Sequence, residues 1–291
     1  MTALPDYDSP LALKAFLDSS DMAMRKKFGQ NFLVNRMSRE RLVAALELKE
    51  DCTVWEVGPG LGAMTDLILK QKAQLTAFEI DRGFCEVLKD LFNEKENFTL
   101  VEGDFLKTWK KIYAETGTPK HLFGNLPYNI AATIIGDMIS DGVRFESMVV
   151  TVQKEVALRM AAKPNSKDYS SFSLLCQWAY DVSTIMDLAG GCFWPRPNVA
   201  SRAVKLVRKD SWPSCESPEL FMSLLRGLFS SRRKTVRNNF SAWLALQLKN
   251  EKSKDELVYS LLEEAGIDSN CRAETLALDD FLRLSNVVAR L

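Results

Sequence analysis

Short β-branched and aromatic runs alternate with helix-like stretches along the first two hundred residues. Leu42, Val43, Leu46 and Leu48 supply the apolar face of a helix that starts near Met37. Thr53 to Val57 is a strand-like run, followed by the glycine turn Gly58-Pro59-Gly60-Leu61-Gly62 and an amphipathic helix from about Ala63 to Lys70. Further strands are predicted at Gln74 to Ile80, Phe98 to Glu102, His121 to Phe123 and Ser201 to Val207. Strands alternating with helices predict an α/β Rossmann-like parallel sheet. The Ser- and Pro-rich stretch Asp210 to Pro218 reads as a linker, and beyond it only amphipathic helices follow. The expected organisation is a flexible N-terminal extension over 1–24, a Rossmann-like domain over 25–209 and a smaller all-helical domain over 210–291.

The strand ends carry the chemistry. Glycines after the first strand let a ligand approach the backbone at a helix N-terminus, and Glu79 follows Gly58 by twenty-one positions, where a carboxylate can accept both ribose hydroxyls. Asp104 follows the third strand and could accept a hydrogen from an adenine amino group. The fourth strand runs into Asn125-Leu126-Pro127-Tyr128. There an amide oxygen and a backbone carbonyl can each accept one hydrogen of an exocyclic amine, and a tyrosine offers a flat face to an extruded base. The same four residues also suit a strand end and tight turn with Tyr128 packed on the sheet. Glycines and an acid by themselves fit a nicotinamide dinucleotide as well as S-adenosylmethionine. A dehydrogenase, however, needs a substrate-side acid or base, usually histidine. His121 is the only histidine and begins its strand, far from the ligand edge. S-adenosylmethionine needs no such group.

Composition narrows the setting. The 291 residues, 46% apolar and 26% charged, can bury a full core. The six cysteines form no Cys-x-x-Cys pair, so neither a disulfide framework nor a metal site is expected. Residues 1–20 carry Asp6, Asp8 and Asp18 and read as neither a secretory nor a transit signal. No uncharged apolar run reaches membrane-spanning length, and the cytoplasm is expected. The net charge of zero conceals a basic region. Nine basic residues lie between Arg202 and Arg237 against Asp210, Glu216 and Glu219, a pattern that suits either a polyanion contact or a solvated helix face.

Phe28-Gly29-Gln30-Asn31-Phe32-Leu33, Glu56 to Thr65, Asn125 to Ile130, Gln153 to Val156, Pro195 to Val204 and Arg232 to Asn238 together resemble, in order, the signature blocks of the ribosomal RNA small-subunit adenine N6,N6-dimethyltransferase family of the KsgA type. The resemblance runs from about Arg25 to the C-terminus. It implies an S-adenosylmethionine-dependent methyltransferase that dimethylates two adjacent adenines in the terminal hairpin loop of 16S rRNA. The partner implied is the small ribosomal subunit, without membrane or metal, and a monomer is expected.

By the same resemblance, Asn31 and Leu33 would close over the cofactor, with Gly58 near its methionine part, Glu79 on the ribose and Asp104 on the adenine. Asn125 would stand between cofactor and target amine, beside the Leu126 or Pro127 carbonyl. Tyr128 would stack on the base, with Phe193 as its second face. Lys26, Lys27, Arg232, Arg233, Lys234 and Arg237 would meet RNA phosphates.

Departures from the family pattern are Arg196 where a third proline is common, Asn198 where lysine is common and Ala131 where serine is frequent. The sequence leaves other functions open: a large-subunit rRNA dimethyltransferase, a DNA adenine methyltransferase and an assembly factor in which binding matters more than methylation. Asp-Pro-Pro-Tyr would be more usual in a DNA enzyme.

Overall fold

The structure, a computed structural model, describes residues 3–20, 30–213, 215–248 and 255–291. It divides into two compact units. The first comprises Met1–Ile134, Arg144–Ala157 and Val182–Arg208; the second comprises Ile135–Val143, Leu158–Asp181 and Lys209–Leu291. The second unit therefore takes in segments that the linear reading assigned to the Rossmann-like domain. Those segments carry their own helix-packing faces, which a division at the linker at 210–218 overlooks.

The first unit is built on a seven-stranded sheet of order β4-β3-β2-β5-β6-β9-β7. Its strands are β2 (Thr53–Val57), β3 (Gln74–Glu79), β4 (Phe98–Glu102), β5 (His121–Asn125), β6 (Ser147–Gln153), β7 (Tyr180–Leu188) and β9 (Ser201–Arg208). β4 through β6 pair in parallel, and β9 is antiparallel to β6 with Gln153 opposite Ser201. Helices α3 (Ala63–Lys70), α4 (Arg82–Phe92) and α5 (Phe105–Thr116) lie between the first strands in the chain, and α7 (Lys154–Met160) follows β6. The central parallel strands β2, β5 and β6 are buried along almost their whole length, as expected where helices cover a parallel sheet. Trp55 is the centre of an edge-to-face aromatic group with Phe78, Phe105 and Phe145, at centroid distances of 5.1, 6.2 and 6.0 Å. All the parallel strands end at one edge, so Val57, Glu79, Glu102 and Asn125 are delivered to the same side. His121 sits at the opposite end of β5, buried and bonded to the Ser147 hydroxyl at 2.9 Å. Burial lowers its pKa.

A small antiparallel pair, β1 (Phe32–Leu33) with β8 (Phe193–Trp194), sets Leu33 opposite Phe193. Helix α2 (Arg36–Ala44) follows β1 and is capped by Asn35, whose Oδ1 accepts from Ser38 N at 2.9 Å.

The N-terminal segment, expected to be a flexible extension, carries helix α1 (Pro10–Ser19). Ser9 caps it, proline occupies its first position, and Leu13 and Leu17 are buried against Val34, Leu61, Phe84 and Val87. Two leucines four apart place an apolar stripe on one face, and that buried stripe is what orders the segment.

The second unit is helical, with α8 (Ser171–Ala179), α9 (Pro218–Leu228), α10 (Val236–Gln247), α11 (Asp255–Glu264) and α12 (Leu278–Val288). Trp178 packs on Phe221 at 4.9 Å, and Phe229 stacks on Phe281 at 5.8 Å. Among the described residues, no helix is long and apolar enough to cross a membrane.

Candidate active site and basic turn

A cleft opens at the carboxyl edge of the sheet. It is lined by Asn31, Leu33, Gly58 and Glu79, by the turn through Leu61, and by Asn125 and Pro127. Six of the residues singled out in the sequence thus lie together here. The turn after β2 is possible because Gly58, Gly60 and Gly62 take positive φ values of 71°, 58° and 85°. A Cβ on Gly58 would meet nothing within 4 Å, so its backbone faces open cleft. A Cβ on Gly62 would stand 2.5 Å from the Phe92 ring, which packs α4 against the start of α3.

Glu79 is anchored by three backbone amides. Gly60 N donates to its Oε2 at 3.1 Å, and Ile80 N and Asp81 N donate to its Oε1 at 2.9 and 2.8 Å. Burial nevertheless pushes its pKa up to about 7. Glu56, 1% exposed, also lines the cleft, accepts from the Thr65 hydroxyl at 2.7 Å, and is pushed up to about 8 by burial. The sequence places Glu56 in one of the signature-like blocks but assigns it no role of its own. Its signal was a carboxylate just ahead of the glycine turn.

The amine-holding motif shows a division of labour. Asn125 Nδ2 donates to the Asn31 carbonyl at 2.9 Å, which leaves Oδ1 as the amide atom available to the cleft. The Pro127 carbonyl accepts from both Ile130 N and Ala131 N at 3.1 Å, at the entrance to helix α6 (Ala131–Ser140). Leu126 N donates to the Thr151 carbonyl at 3.0 Å. The Leu126 carbonyl receives no hydrogen bond among the described residues. Of the two carbonyls considered, Leu126 is therefore the free acceptor. Tyr128 is half-buried, its hydroxyl bonded to Ser201, and burial raises its pKa.

Four expected residues are not among those lining the cleft: Leu126 and Tyr128, in the turn that follows Asn125, and Asp104 and Phe193. Asp104 caps α5, its Oδ1 accepting from Leu106 N at 3.0 Å, and is not among the residues lining the cleft. Phe193 is 4% exposed and belongs to the core with Leu33, because β8 pairs with β1 there, and it is not among the residues lining the cleft. Its neighbour Trp194 stacks on the cleft residue Phe32 at 6.2 Å.

The basic residues before α10 also differ from one another. Arg232 bonds Glu274 at 2.8 Å and the Lys167 carbonyl at 2.7 Å. Arg237 is bonded to the Tyr259 hydroxyl and lies over that ring. Arg233 and Lys234 are exposed and make no ion pair among the described residues. The turn that carries them is held by buried Asn239, whose Nδ2 donates to the Leu228 and Ser231 carbonyls at 2.8 and 2.9 Å. The first amides of α10 are consumed by the Cys271 and Ser269 carbonyls, so an anion there would meet side chains. Lys26 and Lys27 lie outside the described residues.

The cleft suits a cationic nucleoside: two buried carboxylates stand beside a glycine turn with open space before it, and further polar groups line the same edge. This sheet order with an antiparallel β9 and this cleft define an S-adenosylmethionine-dependent methyltransferase. The chain belongs to the ribosomal RNA adenine dimethylase family, whose model matches residues 22–290. It is 46% identical over 289 residues to ribosomal RNA small subunit methyltransferase A of Treponema denticola, covering 99% of this chain and 97% of the relative. Its likeness to the protein of that name from Treponema pallidum is also 46%, over 99% of each. A crystal structure of a dimethyladenosine transferase from Plasmodium falciparum superposes with a TM-score of 0.74 at 27% identity, covering 88% of this chain and 96% of the other.

Proposed function

We propose that the protein transfers methyl groups to N6 of two adjacent adenines in the 3'-terminal hairpin loop of 16S rRNA, two to each, as a cytoplasmic monomer acting during small-subunit maturation. The observation that carries this reading is the pair of acceptors after β5: Asn125 Oδ1, on a residue that lines the cleft, and the carbonyl of the next residue, Leu126, which accepts from no described residue. The family match and the small-subunit relatives support the choice of RNA.

S-adenosylmethionine, when bound, supplies a methyl group made electrophilic by its sulfonium. Asn31, Leu33, Gly58 and Glu79 would hold it, with Glu79 on the ribose hydroxyls. Asp104 would contribute through the carboxylate oxygen not used in capping α5. The adenine amine is a poor nucleophile because its lone pair is delocalised into the ring. Accepting its two hydrogens at Asn125 and Leu126 would orient it and favour a pyramidal nitrogen aimed at the methyl. The methylated nitrogen is strongly acidic and loses its proton to water, so no histidine is needed. Tyr128 would stack on the extruded base, and Arg233 and Lys234 would meet backbone phosphates.

The test is transfer of labelled methyl to small subunits lacking the modification, followed by nucleoside analysis. Wild type should form N6,N6-dimethyladenosine, and Asn125→Ala should be slower by about 100-fold, equivalent to about 2.7 kcal/mol of barrier. Product only on large-subunit RNA or DNA would overturn the substrate. Tight subunit binding without any product would overturn the catalytic reading and leave an assembly factor.

A further inference from the structure

The family model begins its match at residue 22, yet residues ahead of that point form part of the cleft. Tyr7 and Leu13 both line it. The Tyr7 hydroxyl donates to the Leu61 carbonyl at 2.8 Å, a bond made directly to the glycine turn. Leu13 and Leu17 are buried on Leu61, Phe84 and Val87.

Arg39 completes the attachment. Only 5% exposed, this guanidinium needs partners in place of water. Its Nη1 donates to the Tyr7 carbonyl at 3.1 Å and to the Leu33 carbonyl at 2.8 Å, while Nη2 pairs with Asp8. Thus one buried cation ties the Tyr7-Asp8 turn to the strand whose Leu33 side chain also faces the cleft. A loosely attached tail would not supply two acceptors to a buried arginine.

We infer that the strap from Tyr7 to Leu17 is a wall of the S-adenosylmethionine site, and that Tyr7 is a positioning residue that retains the bound cofactor. The strap lies outside the span of the family model and adds to the site residues that the family's signature blocks supply. This rests on the cofactor assignment made under Proposed function. Removing the Tyr7 ring opens the cleft beside the glycine turn, so the cofactor leaves faster, while the chemistry at Asn125 is untouched.

The experiment is calorimetric and stopped-flow binding of S-adenosylmethionine to the full chain without RNA, together with melting of the ligand-free protein. Tyr7→Ala should raise Kd roughly tenfold, mainly through faster dissociation. Tyr7→Phe, which keeps the ring and loses the bond to Leu61, should fall between Tyr7→Ala and wild type. Leu11→Ala, at a position 81% exposed on the same helix, should bind as wild type does. Removal of residues 1–20 should weaken binding at least as much as Tyr7→Ala. Wild-type affinity in both Tyr7→Ala and the shortened chain would overturn the proposal. So would a Tyr7→Ala whose weaker binding is matched by a lower melting temperature and whose dissociation rate is unchanged. Wild-type protein that fails to bind S-adenosylmethionine would overturn the cofactor assignment, a result distinct from either.

Discussion

The Tyr128 hydroxyl is hydrogen-bonded to the Ser201 hydroxyl, joining the turn after β5 to the first residue of β9. Ser201 is buried and paired with Gln153 across the sheet, so it is a fixed point for the tyrosine ring. Ser201→Ala and Tyr128→Phe should keep the stacking face while loosening it, raising the KM for RNA severalfold. Tyr128→Ala should remove the stack and cost about 1 to 3 kcal/mol in kcat/KM. Steady-state kinetics on the three variants distinguish an anchor from a stack.

Glu56 predicts a proton linkage. Burial raises its pKa from 4.5 to about 8, so the folded chain holds a proton there that the unfolded chain releases. Between about pH 4.5 and 8 this group therefore takes stability away from the ligand-free protein as pH rises. A cationic cofactor beside it would ionise the carboxyl, and binding at pH 7 should release protons. Calorimetry in buffers of different ionisation enthalpy should show buffer-dependent heats, and Glu56→Gln should reduce them to the share contributed by Glu79. Heats independent of buffer would count against the linkage.

The two turn glycines should separate stability from ligand affinity. Gly62→Ala meets the Phe92 ring at 2.5 Å in a left-handed backbone and should lower stability by about 1 to 3 kcal/mol. Gly58→Ala meets no neighbour, so it should carry only the backbone strain of about 1 kcal/mol. Its methyl group would stand in the cleft and weaken cofactor binding more than Gly62→Ala does. Denaturant melts and calorimetry on both proteins check this.

Arg233 and Lys234 should act on RNA, and Arg232 on the fold. Replacing the first two with alanine should flatten the salt dependence of RNA binding by about 1.5 to 2 units of slope. Arg232→Ala breaks its contacts with Glu274 and Lys167, so it should lower the melting temperature and change the slope less. Binding titrations across ionic strength, paired with thermal melts, give both readings.

The strand-turn-helix units were legible because their signals are local. Thr53 to Val57, Phe98 to Glu102 and Ala63 to Lys70 stand in the structure with the bounds their residue types suggest. Glu79 and Asn125 were legible because each ends a strand, and parallel strands share a ligand edge. Non-local pairings were not. Arg232 finds Glu274 forty-two positions away, Phe193 is drawn into the core by its register with Leu33, and α1 owes its order to Leu61, Phe84 and Val87. A charge run or a loop aromatic carries no mark of the partner that will claim it.

With the Pro127 carbonyl occupied at the entrance to α6, an incoming amine would on the proposed reading meet two acceptors, Asn125 Oδ1 and the Leu126 carbonyl. They amount to a counting device. An unmodified adenine amine has two hydrogens to match them, a monomethylated one has one, and a dimethylated one has none. On that reading each transfer would remove a contact that held the previous substrate, and the finished base would leave both oxygens without a donor, at the cost of an unmade hydrogen bond for each. The stopping point of the reaction and the release of its product would then follow from the same pair of oxygens.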